Sequence, residues 1–230
     1  ALHKRFGKLE FNQLFNNAIN YADQGFPVTE LISYYLDRTS IRFKDYENFS
    51  SIWMPGGETP KKGEIFKNPL LANTYKSIAS TYGRSFYEGS IAEEIVKTLN
   101  KNGNPMNLDD LERFVPEWID PVSTNYRGYD VWELPPNGQG IAALQILNIL
   151  ENYNIRDMGL DSAEYIHLFT EAKKLAFEDR AKYYADPNFS SIPTDILISK
   201  DYSSERLKLI DLNSAAERYD AGLENGDTIY

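Results

Sequence analysis

Apolar residues recur at helical spacing along most of this chain. The first such run covers residues 11–22 and predicts an amphipathic helix that Gly25 and Pro27 end. A second helical stretch is predicted over residues 29–36. Further helices are predicted at Asn68-Pro69 up to Gly83, at Ser90 with Glu93 (or earlier, near Phe86), at Asn107, at Asp161 with Glu164, and over residues 203–210.

Residues 126–153 form the unit around which we expect the chain to be organised. The run from Tyr126 to Leu134 is rich in aromatic and β-branched residues and predicts one short strand. Pro135-Pro136 end this strand, and the glycines of residues 137–140 allow a turn. The helix that follows is apolar on nearly every face, from Ile141 to Leu150, which indicates a helix buried on all sides.

A strand, a glycine turn and a buried helix also occur in loops that bind phosphate groups. Residues 137–140 read Asn-Gly-Gln-Gly, which has neither the Gly-x-Gly-x-x-Gly spacing nor the Gly-Lys-Ser/Thr sequence of such loops. The pattern therefore favours a tight connection from strand to helix.

Two segments lack periodicity. Residues 38–67 collect prolines and glycines and predict a long irregular segment on the surface. Residues 213–227 are polar and are predicted to be loosely packed. The chain shows no internal repeat, and we expect a single domain over residues 1–230.

Charge and cysteine content exclude several function classes. The net charge of −10 would repel nucleic acid and anionic membrane surfaces, so neither is an expected partner. The sequence has no Cys, which excludes disulfides, thiolate catalysis and cysteine metal sites. No apolar run approaches the roughly 20 residues of a membrane span, and no export signal is visible, so we expect a cytoplasmic location. Because the chain begins at Ala1 without Met, we also expect a piece of a longer protein.

Inspection of single residues indicates no catalytic or metal centre. His3 and His167 are the two histidines, and His167 lies between apolar neighbours on a predicted helix, which favours a structural role. Glu171, Glu178 and Asp179 are predicted on the polar side of their helix, in solvated ion pairs with nearby Lys and Arg residues. We predict no cofactor and no metal.

A family resemblance rests on short stretches that occur in a fixed order along nearly the whole chain. They are residues 6–9, 22–28, 63–66, 68–72, 86–89, 91–92, 109–111, 126–128, 134–136, 147–151, 171–172, 174, 176–177, 179–180, 186–187, 192–193 and Gly226-Asp227-Thr228. In this order the sequence resembles the large subunit of the gamma-glutamyltranspeptidases, through their self-cleavage site. The resemblance implies an α+β fold, the α/β/β/α sandwich of the N-terminal-nucleophile hydrolases, of which this portion supplies mainly helices and a few strands.

The resemblance also implies the chemistry. Thr228 would be the catalytic nucleophile, released by self-cleavage of the bond between Asp227 and Thr228. The partners implied are a small subunit from the same precursor and a γ-glutamyl substrate such as glutathione; self-association into a homo-oligomer stays open. Ile229 and Tyr230 depart from the Thr or Ala and His that often follow the nucleophile, and they resemble the glutathione-hydrolase-like branch. The family's Arg that binds the glutamate carboxylate has no matching motif here.

Two other functions remain open. A related acylase would act on another acyl group, such as a glutaryl β-lactam or a polyglutamate. A non-catalytic helical protein derived from this family would bind a partner without chemistry.

Overall fold

The computed structural model describes residues 1–223. Contacts divide the chain into two compact units, Ala1–Pro116 and Glu117–Tyr230, and each is described by itself. The expectation of a single domain over residues 1–230 stays a prediction. In the part of the chain that the structure describes, no helix combines the length and the apolar surface that crossing a membrane requires.

The first unit contains α-helices and a short two-stranded sheet. The helices are α1 (Leu2–Phe6), α2 (Asn16–Gln24), α3 (Glu30–Phe43), α4 (Glu47–Trp53), α5 (Pro69–Ser80), α6 (Ser90–Lys101) and α7 (Leu108–Glu112). Strand β1 (Phe26–Pro27) pairs antiparallel with β2 (Ile65–Phe66). Short 3-10 helices cover Phe11–Phe15, Pro55–Gly57 and Arg84–Phe86.

Capping side chains explain where two of these helices begin. Asn68 Oδ1 accepts a hydrogen bond from the Leu71 amide at 3.0 Å, and Pro69 occupies the first turn of α5, as predicted. Asn107 and Asp110 form a complete capping box at α7. The Ser90–Glu93 capping box is wrong, because Gly89, with φ 83°, precedes α6 and no side chain caps it.

The predicted irregular segment over residues 38–67 is wrong in three places. Helix α3 continues to Phe43, helix α4 covers Glu47–Trp53, and β2 lies at Ile65–Phe66. The Trp53 and Phe66 rings stack with centroids 5.3 Å apart, and Phe66 is buried. Since the Trp53–Phe66 contact joins two separate elements, the periodicity of the sequence alone could not predict it.

The second unit begins with a β-hairpin and continues with helices. Strand β3 (Val122–Tyr126) pairs antiparallel with β4 (Tyr129–Glu133). The helices are α8 (Gly140–Leu150), α9 (Ile155–Met158), α10 (Ala163–Tyr183), α11 (Thr194–Leu197) and α12 (Lys200–Leu207). The strand predicted from Tyr126 to Leu134 is confirmed over Tyr129–Glu133, but its start is wrong. Tyr126 ends β3, and Arg127 and Gly128, with φ of 52° and 90°, form a two-residue turn, as hairpins favour.

Helices α8 and α10 form the centre of this unit, and the buried central helix is confirmed. Ile141, Leu144 and Ile149 of α8 and Leu168 and Leu175 of α10 are all buried. Two helix starts differ from the prediction. The side chain of Ser162, not Asp161, caps α10, and the last helix begins at Lys200 because Ser199 caps it.

The segment after α12 is part of the core. Tyr219 packs in a cluster with residues of α8 and α10, and Leu223 packs in a second cluster with Ile141 and Leu144. The prediction of a loose segment is therefore wrong for residues up to 223. Its contacts with α10 define the candidate site.

Candidate processing site and the segment that leads to it

The residues predicted to carry the chemistry, Asp227 and Thr228, lie outside the described residues. The structure does describe the chain that leads to them. We call residues 211–223 the approach segment. It runs beside α10 in the same direction, and two acidic side chains of α10 hold its backbone.

Glu171 makes the first attachment. Its Oε2 accepts hydrogen bonds from the Ala216 amide at 3.2 Å and from the Tyr219 hydroxyl at 2.6 Å. Its Oε1 accepts one from Lys174 Nζ at 2.7 Å, and the same ammonium donates to the Ala216 carbonyl at 2.8 Å. Only 1% of the Glu171 surface is exposed, so the carboxylate depends on these donors for the hydrogen bonds that water would otherwise supply.

Asp179 makes the second attachment, eight residues and therefore about 12 Å further along the helix. Its Oδ1 accepts from the Gly222 amide at 2.9 Å, and its Oδ2 accepts from Gln145 Nε2 and from the Tyr202 hydroxyl, both at 2.8 Å. Arg206 Nη2 lies 3.6 Å from Oδ1 and donates to the Asp220 carbonyl at 2.8 Å. Asp179 is fully buried.

The last described residue is held at both of its backbone groups. The Leu223 amide donates to the Tyr183 hydroxyl at 3.0 Å, and the same hydroxyl donates to the Leu223 carbonyl. Lys182 Nζ also donates to that carbonyl, at 3.1 Å. The backbone is thus fixed four residues before Asp227.

Burial and hydrogen bonding set the protonation of this cluster. Burial alone would raise the pKa of the Glu171 carboxyl, but the hydrogen bonds from Lys174, Tyr219 and the Ala216 amide outweigh it and hold this pKa below its ordinary value of 4.5. Burial first, and then the neighbouring carboxylates, raise the pKa values of the Tyr202 and Tyr219 hydroxyls. At neutral pH, Glu171 is charged and these phenols keep their protons to donate.

The prediction that Glu171 and Asp179 are solvated is wrong. Glu178, between them, is half-buried. Tyr219 of the approach segment packs against Leu168, Ala172 and Leu175 of the apolar stripe. Asp179 lies four residues after Leu175 and therefore on the same face of the helix. Because donors occupy their oxygens, these carboxylates serve to hold the backbone rather than to transfer protons.

Other residues considered from the sequence have structural contacts. His167 Nε2 lies 2.8 Å from the Asp211 carbonyl, in keeping with the structural role predicted for it, and His3 hydrogen-bonds with Tyr82 and with the Leu9 carbonyl. Among residues 1–223, no group of three or more His, Cys, Asp or Glu side chains could hold a metal ion. At the start of α8, a Cβ on Gly140 would lie 2.5 Å from Glu133 Oε2, so an acidic side chain lies beside the first residue of this helix and would repel a phosphate there.

Comparison with known proteins decides the family. The sequence model of the family described as gamma-glutamyltranspeptidase matches residues 1–230. The chain belongs to the gamma-glutamyltranspeptidase family.

Similar proteins of known name and structure agree. The chain is 37% identical over 205 residues to the glutathione hydrolase-like YwrD proenzyme of Bacillus subtilis, a match that covers 89% of this chain and 39% of that protein. The cephalosporin acylase of Bacillus halodurans superposes with a TM-score of 0.84 at 38% identity, over 91% of this chain and 40% of the acylase. The gamma-glutamyltranspeptidase of Helicobacter pylori superposes with a TM-score of 0.88 at 29% identity, over 99% of this chain and 67% of the solved chain.

These comparisons confirm the fold class. The chain has the α+β fold of the N-terminal-nucleophile hydrolases, and this portion is mainly helical with few strands. It spans about 40% of the length of the curated relative, so the activity of a gamma-glutamyltranspeptidase is a matter for proposal. Sequence reasoning missed the attachment of the approach segment. The available signal was Tyr219 and Leu223, two large side chains in a stretch of mostly small and polar residues that also contains Leu212.

Proposed function

We propose that this chain is the large-subunit portion of a γ-glutamyl hydrolase or transferase whose nucleophile is Thr228. The observation that carries the proposal is the family match, which continues through residue 230 and therefore includes Asp227 and Thr228. The relative from Bacillus subtilis is named a proenzyme, which supports a precursor that is cut. The proposed partner is a small subunit that begins at Thr228.

The first step makes the nucleophile. The Thr228 hydroxyl attacks the carbonyl carbon of Asp227, the peptide C–N bond breaks, and the Thr228 nitrogen takes up a proton. The result is an ester between Asp227 and the threonine oxygen. Water hydrolyses this ester, which leaves a carboxylate on Asp227 and a free hydroxyl beside a free α-amine on Thr228.

The second step uses that amine as a base. An α-amine has an ordinary pKa of about 7.7–8.0, so a useful fraction is neutral near pH 7.5 and can accept the hydroxyl proton. The threonine oxygen attacks the γ-glutamyl carbonyl, the leaving amine takes the proton, and an acyl-enzyme forms. Water or a second amine then takes the acyl group. These steps need no cofactor, and glutathione is a substrate of the proposed class.

The test uses the protein expressed from its complete gene. We expect intact mass and amino-terminal sequencing to find a fragment that begins at Thr228. In a Thr228→Ala protein, both cleavage and hydrolysis of a γ-glutamyl anilide should be lost, whereas Thr228→Ser should retain part of both. Turnover in the alanine variant would overturn the proposal. A single uncleaved wild-type chain without turnover would favour the non-catalytic alternative.

The likeness to the cephalosporin acylase favours a second candidate, an acylase for another acyl group. Hydrolysis of a γ-glutamyl anilide and of a glutaryl anilide separates the two, because the glutaryl group lacks the α-amine of glutamate. We expect a preference for the γ-glutamyl compound. A preference for the glutaryl compound would identify the acylase. The cytoplasmic location and self-association stay predictions.

A further inference from the structure

We propose that Glu171 and Asp179 are positioning residues for self-cleavage, because they hold the approach segment so that the Asp227–Thr228 peptide is presented in one place. The inference rests on the proposed function, since it requires that this bond is the one that is cut. Nothing in it assigns the two carboxylates a part in the bond-breaking step itself.

The first argument is what the carboxylates bind. Both accept from backbone amides of the approach segment, Glu171 from Ala216 and Asp179 from Gly222. The neighbouring cations bind backbone as well: Lys174 donates to the Ala216 carbonyl and Arg206 to the Asp220 carbonyl. Such contacts fix the path of a chain, whereas the side chains of Arg218 and Asp220 remain exposed.

The second argument is that the path has one register. A Cβ on Gly222 would lie 2.3 Å from the Tyr202 hydroxyl oxygen and 2.6 Å from Arg206 Cδ, and both of those side chains are buried. Tyr219 and Leu223 meanwhile occupy separate core clusters. A slip by one residue would place a side chain where only glycine fits and would remove both apolar residues from the core.

The third argument is the distance along the sequence from the last anchored residue to the bond. Asp227 comes four positions after Leu223, whereas it comes twenty positions after Leu207, the last residue of α12. The local concentration of a tethered group falls roughly as the −3/2 power of tether length, so release of the approach segment would dilute the reacting peptide about tenfold. Self-cleavage needs that peptide in one geometry against the groups around it, and its rate should fall by a similar factor.

The experiment follows cleavage of the full-length precursor by pulse-chase labelling and gel electrophoresis. The double variant Glu171→Ala/Asp179→Ala should lengthen the half-life of the precursor about tenfold, and each single variant about threefold if the two effects multiply. Asp179→Asn should be cut faster than Asp179→Ala, because the amide oxygen can still accept from Gly222. Tyr219→Phe, a milder change, should slow cleavage more than Tyr184→Phe, whose hydroxyl donates to Gln145 on α8 instead of to the carboxylates.

A matched control separates positioning from loss of stability. Asn148 is fully buried on α8, accepts from Thr124 and Lys200, and does not contact the approach segment among the described contacts. Asn148→Ala should also lower the thermal midpoint, although by less than Asp179→Ala, yet leave the cleavage half-life within twofold of wild type. Slowing of Asn148→Ala in proportion to its loss of stability, or wild-type cleavage in the Glu171/Asp179 double variant, would overturn the proposal.

Hydrogen exchange tests, without any cleavage, whether Asp179 holds the backbone of the approach segment. In the uncut Thr228→Ala precursor, adding Asp179→Ala should speed exchange of the peptide that contains the Gly222 and Leu223 amides, and adding Asn148→Ala should not. Unchanged exchange would overturn the positioning role. Cleavage after residue 227 in the Thr228→Ala protein would instead overturn the proposed nucleophile, so the two failures are distinguishable.

Discussion

The second unit contains two polar networks built around carboxylates, and they differ in how far water reaches them. The carboxylate anchor, Glu171 and Asp179, is 1% and 0% exposed. In the hairpin network, Glu151 accepts from Lys200 and from the Arg127 amide, and its side chain is 29% exposed while that of Lys200 is 46% exposed. The first network holds the approach segment and the second holds the turn of the β-hairpin.

The difference teaches where a polar contact matters most. In the hairpin network, water can replace a lost partner, so each contact contributes little. In the carboxylate anchor, a lost partner leaves buried donors or a buried charge unsatisfied, which costs far more than the contact itself contributes. The segment that leads to Asp227 therefore depends on the network that tolerates change least.

The largest effect is expected for Asp179→Ala. It leaves the Gly222 amide, the Tyr202 hydroxyl, Gln145 and the Arg206 guanidinium without their shared acceptor. Breaking a buried charged network of this kind costs about 3–5 kcal/mol. The thermal midpoint of the uncut Thr228→Ala precursor measures it, and a loss below about 1 kcal/mol would show that the two networks do not differ as described.

Gly222→Ala should rank second. The added methyl would overlap the buried Tyr202 and Arg206 side chains, and overpacking costs about 1–3 kcal/mol. Gly138→Ala is a suitable control, because nothing lies within 4 Å of its Cβ position. A Gly222→Ala protein as stable as the control would contradict the single register of the approach segment.

Acid should lower the stability that both networks contribute, and the sensitivity of this loss to salt should distinguish the hairpin network from the carboxylate anchor. The pKa of Glu171 is held below 4.5, and hydrogen bonds from Lys200 and the Arg127 amide lower the pKa of Glu151. A carboxyl whose folded pKa is lowered contributes stability above its unfolded pKa and loses it as the pH falls through the folded value. Stability should therefore be level near neutral pH and fall below about pH 4.5. In Lys200→Met the acid loss should shrink, and the part that remains should be insensitive to salt.

The smallest effect is expected for Lys200→Met. Glu151 can be solvated once the ammonium is removed, and Asn148 Oδ1 keeps its hydrogen bond from Thr124 at 2.6 Å. The stability loss should be about 1 kcal/mol or less at moderate salt. A loss as large as that of Asp179→Ala would mean that exposure does not distinguish the networks.

Local signals predicted the parts of the fold that local chemistry determines. Asn68 and Pro69 mark the start of α5 because capping and the missing proline N–H act within one turn. The apolar run after Gly140 identified a buried helix because that pattern also lies within a few turns of one element. Strand β3 was missed because it follows Pro121 without alternation, and within residues 1–223 it pairs with one strand, the one after Arg127-Gly128.

The carboxylate anchor could not be predicted because its halves are far apart in sequence. Glu171 and Ala216 are separated by 45 residues, and Asp179 and Gly222 by 43. The spacing of Asp179, four residues after Leu175, indicates the buried face of the helix. Only the folded chain shows that backbone amides replace the water around both carboxylates. Thr228, in contrast, was identified from the order of family motifs, and its role stays a proposal.

The approach segment contributes mostly backbone to its attachment, whereas the helices contribute side chains. In a comprehensive substitution scan, most positions from 211 to 223 should accept varied residues, since any non-proline residue brings the same amide and carbonyl. The exceptions should be Tyr219, Gly222 and Leu223, while Glu171 and Asp179 should tolerate almost nothing. A library that diversifies this contact can therefore vary the approach segment, but it cannot vary the two carboxylates of α10.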